Sequence, residues 1–211
     1  MAVRTESRAG AGADSEPAAF RDAVASMRAA RLRPEVRTEQ MPAPQRIAPF
    51  AAAISADVYV GSGGDGTEMG TGRIILLHDP AGNDAWDGVF RCVAYARAEI
   101  DVELITDPLL ADVGWSWLTE ALAAHGADYH AVSGTVTRVA TESYGGMAED
   151  GGAAQLEIRA SWTPTGPSLP AGTLDVGPHV EAWGELLCTA VGLPPVPDGV
   201  TVIPNRRSRG G

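Results

Sequence analysis

The chain contains no lysine; all 16 of its basic residues are arginine. That absence excludes a Walker lysine, a Schiff-base lysine and a lysine general base. Cysteine is nearly absent too. Cys92 and Cys188 are the only two, and their spacing fits no zinc or redox pattern. Cys92 falls in a strand pattern and Cys188 in a helix pattern, so both are expected as reduced core thiols. No apolar run reaches the length of a membrane span. The N-terminal stretch MAVRTESRAGAGADSEP lacks the apolar segment of a secretory signal. A cytoplasmic location and no membrane partner are expected.

What the chain has in excess is negative charge, unevenly spread. Residues 1–50 hold eight Arg against six acids, while residues 51–205 hold five Arg against 21 acids. An acidic body opposes nucleic-acid binding, so only the arginines near the two termini offer a footing for a polyanion. The 211 residues, 45% of them hydrophobic, suffice for one full-sized domain.

Residues 1–14 are Gly, Ala and polar residues without a period and are expected to form a disordered tail. Ser15 reads as the N-cap of a first helix over 16–32, with Phe20, Ala23, Val24, Met27 and Ala30 on one stripe. Four prolines make 33–49 an extended connector. Strands are expected at 51–60 and 73–79, followed by a turn over 79–88. VFRCVAYARAEIDVEL is the clearest strand. Phe90, Cys92, Ala94, Ala96, Ala98 and Ile100 share one face; Arg91, Val93, Tyr95, Arg97, Glu99 and Asp101 share the other. One apolar and one mostly polar face suit an antiparallel sheet covered on one side. Thr106 reads as the cap of a second helix over 109–125, stopped by Gly126. Strands at 128–142 and 155–162 follow, then a third helix opened by Pro178 and ended by Gly192. Residues 196–211 form a Pro-rich, Arg-bearing tail. The expected fold is thus one α+β domain over 15–195: two layers, a mainly antiparallel five-stranded sheet with helices on one face, in the order α-β-β-β-α-β-β-α.

Gly61, Gly63 and Gly66 match Gly-x-Gly-x-x-Gly behind a strand, the pattern of a dinucleotide site. That pattern must open a helix, whose N-terminus binds the pyrophosphate. Here Gly70, Gly72 and a strand follow instead, so the stretch reads as a long hairpin loop. No cofactor is implied. His78, Asp79, Asn83, Asp84, Trp86 and Asp87 crowd one turn and are the candidate ligand turn, although Asp, Asn and Gly suit turns for backbone reasons alone. His125 and His130 do not share a helix face, so no metal set is assigned. Ser62, Ser133 and Ser161 lack the glycines of a nucleophile elbow.

The second helix carries an apolar arc about 200° wide, whereas covering one core face takes about 100°. Leu110, Val113, Trp117 and Ala121 are assigned to the sheet. Trp115, Leu118 and Leu122 are assigned to a second copy in a homodimer. The two halves are interchangeable on periodicity, and the third helix is the alternative cover.

The run GRIILLHDPAGNDAWDGVFRCVAYARAEID, residues 72–101, resembles the signature of an actinobacterial family, the domain of unknown function number three thousand. The likeness extends over most of 17–195, and its most specific part is the HDPAGNDAWDG turn with the following strand. The family brings no activity and no catalytic residue. Its members' genes lie near one for a ribonuclease D-like protein, which implies an RNA-processing accessory role as one expectation. Separately, the element order resembles the type III secretion chaperone-like fold of YbjN-type proteins, by topology alone. That implies a non-catalytic, chaperone-like or adaptor domain with a protein partner, the leading expectation. A small-ligand or metal-dependent enzyme using the 78–87 turn is the alternative.

Overall fold

Residue alternation in the central strand explains the architecture. In the computed structural model, which describes residues 16–61, 66–166 and 174–195, β4 (Gly88–Ile100) turns Phe90, Cys92, Ala94, Ala96 and Ala98 into the core. Its small residues let helices lie close. The full order is α1 (Ala18–Ala29), β1 (Val36–Met41), β2 (Phe50–Val60), β3 (Thr67–Asn83), β4, α2 (Leu110–Ala124), β5 (Tyr129–Thr141), β6 (Ala153–Pro164) and α3 (Gly177–Ala190). Short 3₁₀ turns at Val102–Thr106 and Gly145–Asp150 join β4 to α2 and β5 to β6. The sheet has six strands in the spatial order β1-β2-β3-β4-β6-β5, every pair antiparallel. The chain is α+β with its helices on one face of that sheet.

The sheet therefore has one strand more than expected. The connector over 33–49 contains β1, which pairs with β2 from Val36↔Val58 to Met41↔Ala53. Strand β3 runs far beyond 73–79 in both directions, through Gly70 and Gly72. These two glycines are strand, not loop. A Cβ on Gly72 would come within 2.7 Å of the Tyr95 carbonyl oxygen and 2.8 Å of Leu187, so glycine there lets α3 approach the sheet. Trp183 Nε1 uses that closeness to donate to the Tyr95 carbonyl at 3.1 Å. The hairpin between β2 and β3 is nonetheless real, since Val60 pairs with Thr67. Residues 62–65 of its tip, with Ser62 and Gly63, lie outside the described residues, as do Ser15, the 1–14 tail and the 196–211 tail.

Two helix boundaries also move. Helix α1 starts after Pro17 and ends at Ala29 rather than running over 16–32. Thr106 does not cap α2; its hydroxyl donates to the Glu103 carbonyl inside the 3₁₀ turn, while Asp107 Oδ1 accepts from Leu109 N–H. Gly126, at φ 62°, ends α2 as its position suggests.

The wide arc of α2 is covered within the chain. Leu118 and Leu122 are 0% exposed, and α2 packs against α3. A second copy has no access to either residue, which corrects their assignment to a dimer face. Trp115 lies over Gly134 of β5. Trp117 is half-buried beside α3, in a shallow cleft with Glu185 and Thr189. Val113, assigned to the sheet, is 41% exposed; Gly114 takes its place and packs on Leu156 and Ile158. The core between the layers holds Trp162, Trp183, Phe20 and Met27 as its largest buried side chains. No helix among the described residues is long and apolar enough to cross a membrane.

Candidate functional site: a groove on the uncovered sheet face

The three helices occupy one face of the sheet, so the alternate residues of every strand form the other. Strand register sorts them into rows. One row runs Ser55, Arg73, Tyr95, Arg159, Thr135 across β2, β3, β4, β6 and β5; the next runs Ala53, Ile75, Val93, Ser161, Ser133. From Arg73 to Thr135 and from Ile75 to Ser133, these rows floor a groove of about 530 Å³, with Pro44 of the β1–β2 connection on its rim. Its middle is apolar, through Ile75 and Val93. Its two ends are polar.

Arg91 closes one end from behind. It is 7% exposed, and no carboxylate among the described residues lies within ion-pair distance of it. Neutral acceptors surround the guanidinium instead. Nη1 donates to the Ala131 carbonyl at 2.8 Å and Thr163 Oγ1 at 3.1 Å. Nη2 donates to Ser161 Oγ at 2.8 Å, with the Ser161 carbonyl at 3.3 Å and Ser133 Oγ at 3.4 Å. Burial lowers its pKa from the ordinary arginine value, yet a guanidinium stays charged at any physiological pH.

Those bonds hold a β-bulge. The β5–β6 register shifts between His130 and Ser133, and Ala131 sits there at φ 48°. A non-glycine residue in the left-handed region is strained, and bulges re-aim side chains next to sites. His130 ties the same bulge to the β3–β4 turn, with Nε2 2.8 Å from the Asp87 carbonyl and 3.5 Å from its carboxylate. Next to the bulge, Ser133 is the direct cross-strand partner of Ser161, and their Oγ atoms lie 3.4 Å apart.

The other end of the groove is a cationic clamp on an aromatic ring. The Arg73 and Arg159 guanidinium carbons lie 5.5 and 5.3 Å from the Tyr95 ring centroid. Glu157 sits outside this clamp, and both of its oxygens are engaged. Oε1 accepts from the Tyr95 hydroxyl at 3.1 Å, and Oε2 pairs with Arg159 at 3.1 Å. Arg73 is exposed, with no carboxylate partner among the described residues.

The turn singled out in the sequence is built differently. His78 is 4% exposed and stacks on Phe90 with 4.2 Å between centroids, so it belongs to the core; burial lowers its pKa. Asp79 Oδ1 and Asn83 Oδ1 accept from the backbone N–H groups of Ala81 and Ala85, closing local turns. The Trp86 carbonyl accepts from Thr163 Oγ1, and Asp84 and Asp87 are exposed. Among the described residues no three His, Cys, Asp or Glu converge as a metal-holding set. His125 lies 3.8 Å from Glu181, away from His130. Cys92 and Cys188 are free buried thiols whose pKa burial pushes up to about 12. Ser133, Ser161, Arg91, Val93 and Tyr95 each stood in the sequence reading without a role. Only the β4–β6–β5 register brings them together.

The family model described as "Protein of unknown function (DUF3000)" matches residues 16–201, most of the chain, so the chain belongs to that family. No curated protein matches. No solved structure matches either.

Proposed function

We propose that this protein is a non-catalytic binding module that receives its ligand across the uncovered face of its sheet. One observation carries the reading: the groove of about 530 Å³, with an apolar floor and polar side chains placed at both ends. Ligand sites have this build, at about 300–1,000 Å³. The buried Arg91 and the strained Ala131 support it, because both expenses fall where the groove is shaped. The test is native mass spectrometry of protein purified gently from its own cells, beside Val93→Trp, which fills the floor. A bound species on the wild type and absent from Val93→Trp is the expected result. The same species on both, or none on either, counts against the reading.

A second reading keeps the chaperone-like or adaptor role and its protein partner. Val102, Leu104, Leu109 and Val113 are 41–60% exposed, from the 3₁₀ turn that precedes α2 into its first turn. Apolar side chains exposed in succession mark contact surfaces. Leu109→Glu is expected to abolish association there, whether with a second copy or a different chain. Light scattering and co-purification check it, and unchanged association removes this reading.

A further inference from the structure

We propose that the groove is a site for a small organic oxyanion, a carboxylate or phosphate monoester carried on a flat apolar body. This rests on the uncovered face being the binding surface. It follows from charge and from the direction of hydrogen bonds.

Residues 51–205 hold five Arg against 21 acids, yet two of those five, Arg73 and Arg159, line this groove, and a third, Arg91, lies buried behind its serines. No Asp or Glu among the described residues lines it. The nearest carboxylate, Glu157, is already matched by Arg159 and the Tyr95 hydroxyl. The groove is therefore a positive site on an acidic protein, and charge complementarity selects an anion.

The hydroxyls point the same way. Ser161 Oγ accepts from the Arg91 cation, and Ser133 Oγ lies within reach of both. An oxygen whose lone pair faces a guanidinium keeps its proton for another acceptor. Even if the two serines bond each other, one hydroxyl proton remains to be donated. Together with Arg73 this makes a groove of donors. A planar body would lie on Ile75 and Val93 beneath Pro44.

Size is bounded on the same face. The next row carries Asp57, Thr71, Arg97, Glu157 and Thr137. Charges of both signs in that row, Asp57 and Glu157 with Arg97 between them, do not continue the positive site of the groove. A volume of about 530 Å³ fits a compact anion rather than a nucleic-acid strand.

The experiment uses three probes of one shape: benzoate, phenyl phosphate and the cation benzylamine. Each is titrated into the protein while backbone amide NMR shifts are followed. At least one oxyanion is expected to bind saturably at millimolar concentration, with shifts in β3, β4, β6 and β5. Which one binds separates carboxylate from phosphate. Arg73→Gln and Ser161→Ala are each expected to weaken it at least about tenfold, as removing a bond to a charged group does. Arg73 is exposed, so that variant folds. Binding unaffected by both variants would overturn the proposal. Benzylamine binding to the same strands would overturn the anion while leaving the groove as binding surface. No binding by any probe, together with unchanged cargo on Val93→Trp, would overturn both readings.

Discussion

The two faces of β4 alternate along one strand and differ in what substitution would cost. Toward the helices stand Phe90, Cys92, Ala94, Ala96 and Ala98, all buried; toward solvent stand Arg91, Val93, Tyr95, Arg97 and Glu99. The helix-side residues are mostly small because α3 presses against the strand, close enough for Trp183 to bond the Tyr95 carbonyl. The solvent-side residues are mostly large and polar, and among the described residues Pro44 reaches over them. The first face sets stability and the second sets what the protein can hold. Arg91 belongs to both, since it faces the groove side yet is buried.

The strongest test of that division is Leu118→Glu. Leu118 is 0% exposed between α2, α3 and the sheet, so the change places an unpaired carboxylate in the core. A loss above about 5 kcal/mol is expected, which unfolds a domain at the low end of ordinary stability. Circular dichroism melting checks it. A folded variant would mean that α2 can lift from the sheet, and the helix side would then not be a closed core.

Acid should act on the helix side next. Burial pushes the His179 pKa down to about 4, and its Nδ1 accepts from Trp162 Nε1 at 3.1 Å. Above about pH 6.5 the imidazole is neutral folded and unfolded, and it adds no pH dependence. As pH falls from about 6.5 to about 4, the unfolded chain takes up a proton that the folded one refuses. Stability therefore declines across that window, by about 3 kcal/mol when complete. His78 is shifted the same way, also by burial. Urea midpoints between pH 7 and pH 4 measure the slope. A flat profile from pH 6.5 to 5, where few carboxylates titrate, contradicts the buried neutral histidine.

Arg91→Met tests the residue shared by both faces. The substitution keeps much of the apolar stem but removes the charged donor from the Ala131 carbonyl, Thr163 Oγ1 and Ser161 Oγ. About 2 kcal/mol is expected to be lost, typical of bonds to a charged group. The bulge should relax, and amide shifts at His130–Ser133 report that directly. A variant as stable as the wild type, with the bulge intact, would assign the buried charge to the ligand alone.

How far the sequence foretold this molecule depended on whether side chains carried the signal. Strands β4 and β6 alternate over many residues, and the two-sided character of the sheet follows from β4 alone. Strand β1 left no such trace, because Arg37, Thr38, Glu39 and Gln40 are exposed and show no apolar alternation, while pairing with β2 holds the strand in place. Gly70 and Gly72 looked like breakers; they are the places where a helix needs room. The width of the α2 arc was readable, but its cover was not, since periodicity does not say that α3 lies alongside. The groove is the hardest case. Ser133 and Ser161 are 28 residues apart and face each other only through the register of a long strand pair, which no spacing rule supplies.

The smallest effect on stability should come from Arg73→Gln, and it bears most on the comparison. Arg73 is exposed, makes no ion pair among the described residues, and touches the fold only through its stacking near Tyr95. Exposed cation–π contacts contribute about 0.5–1 kcal/mol. Stability from urea unfolding should therefore fall by no more than about 1 kcal/mol. Yet the same change removes the one exposed groove cation that no carboxylate among the described residues engages, so oxyanion binding should fall at least about tenfold. Leu118→Glu has no such split, because an unfolded chain binds nothing. A stability loss above about 1 kcal/mol from Arg73→Gln would instead mean that the uncovered face also holds the fold, and the division drawn along β4 would fail at its most exposed arginine.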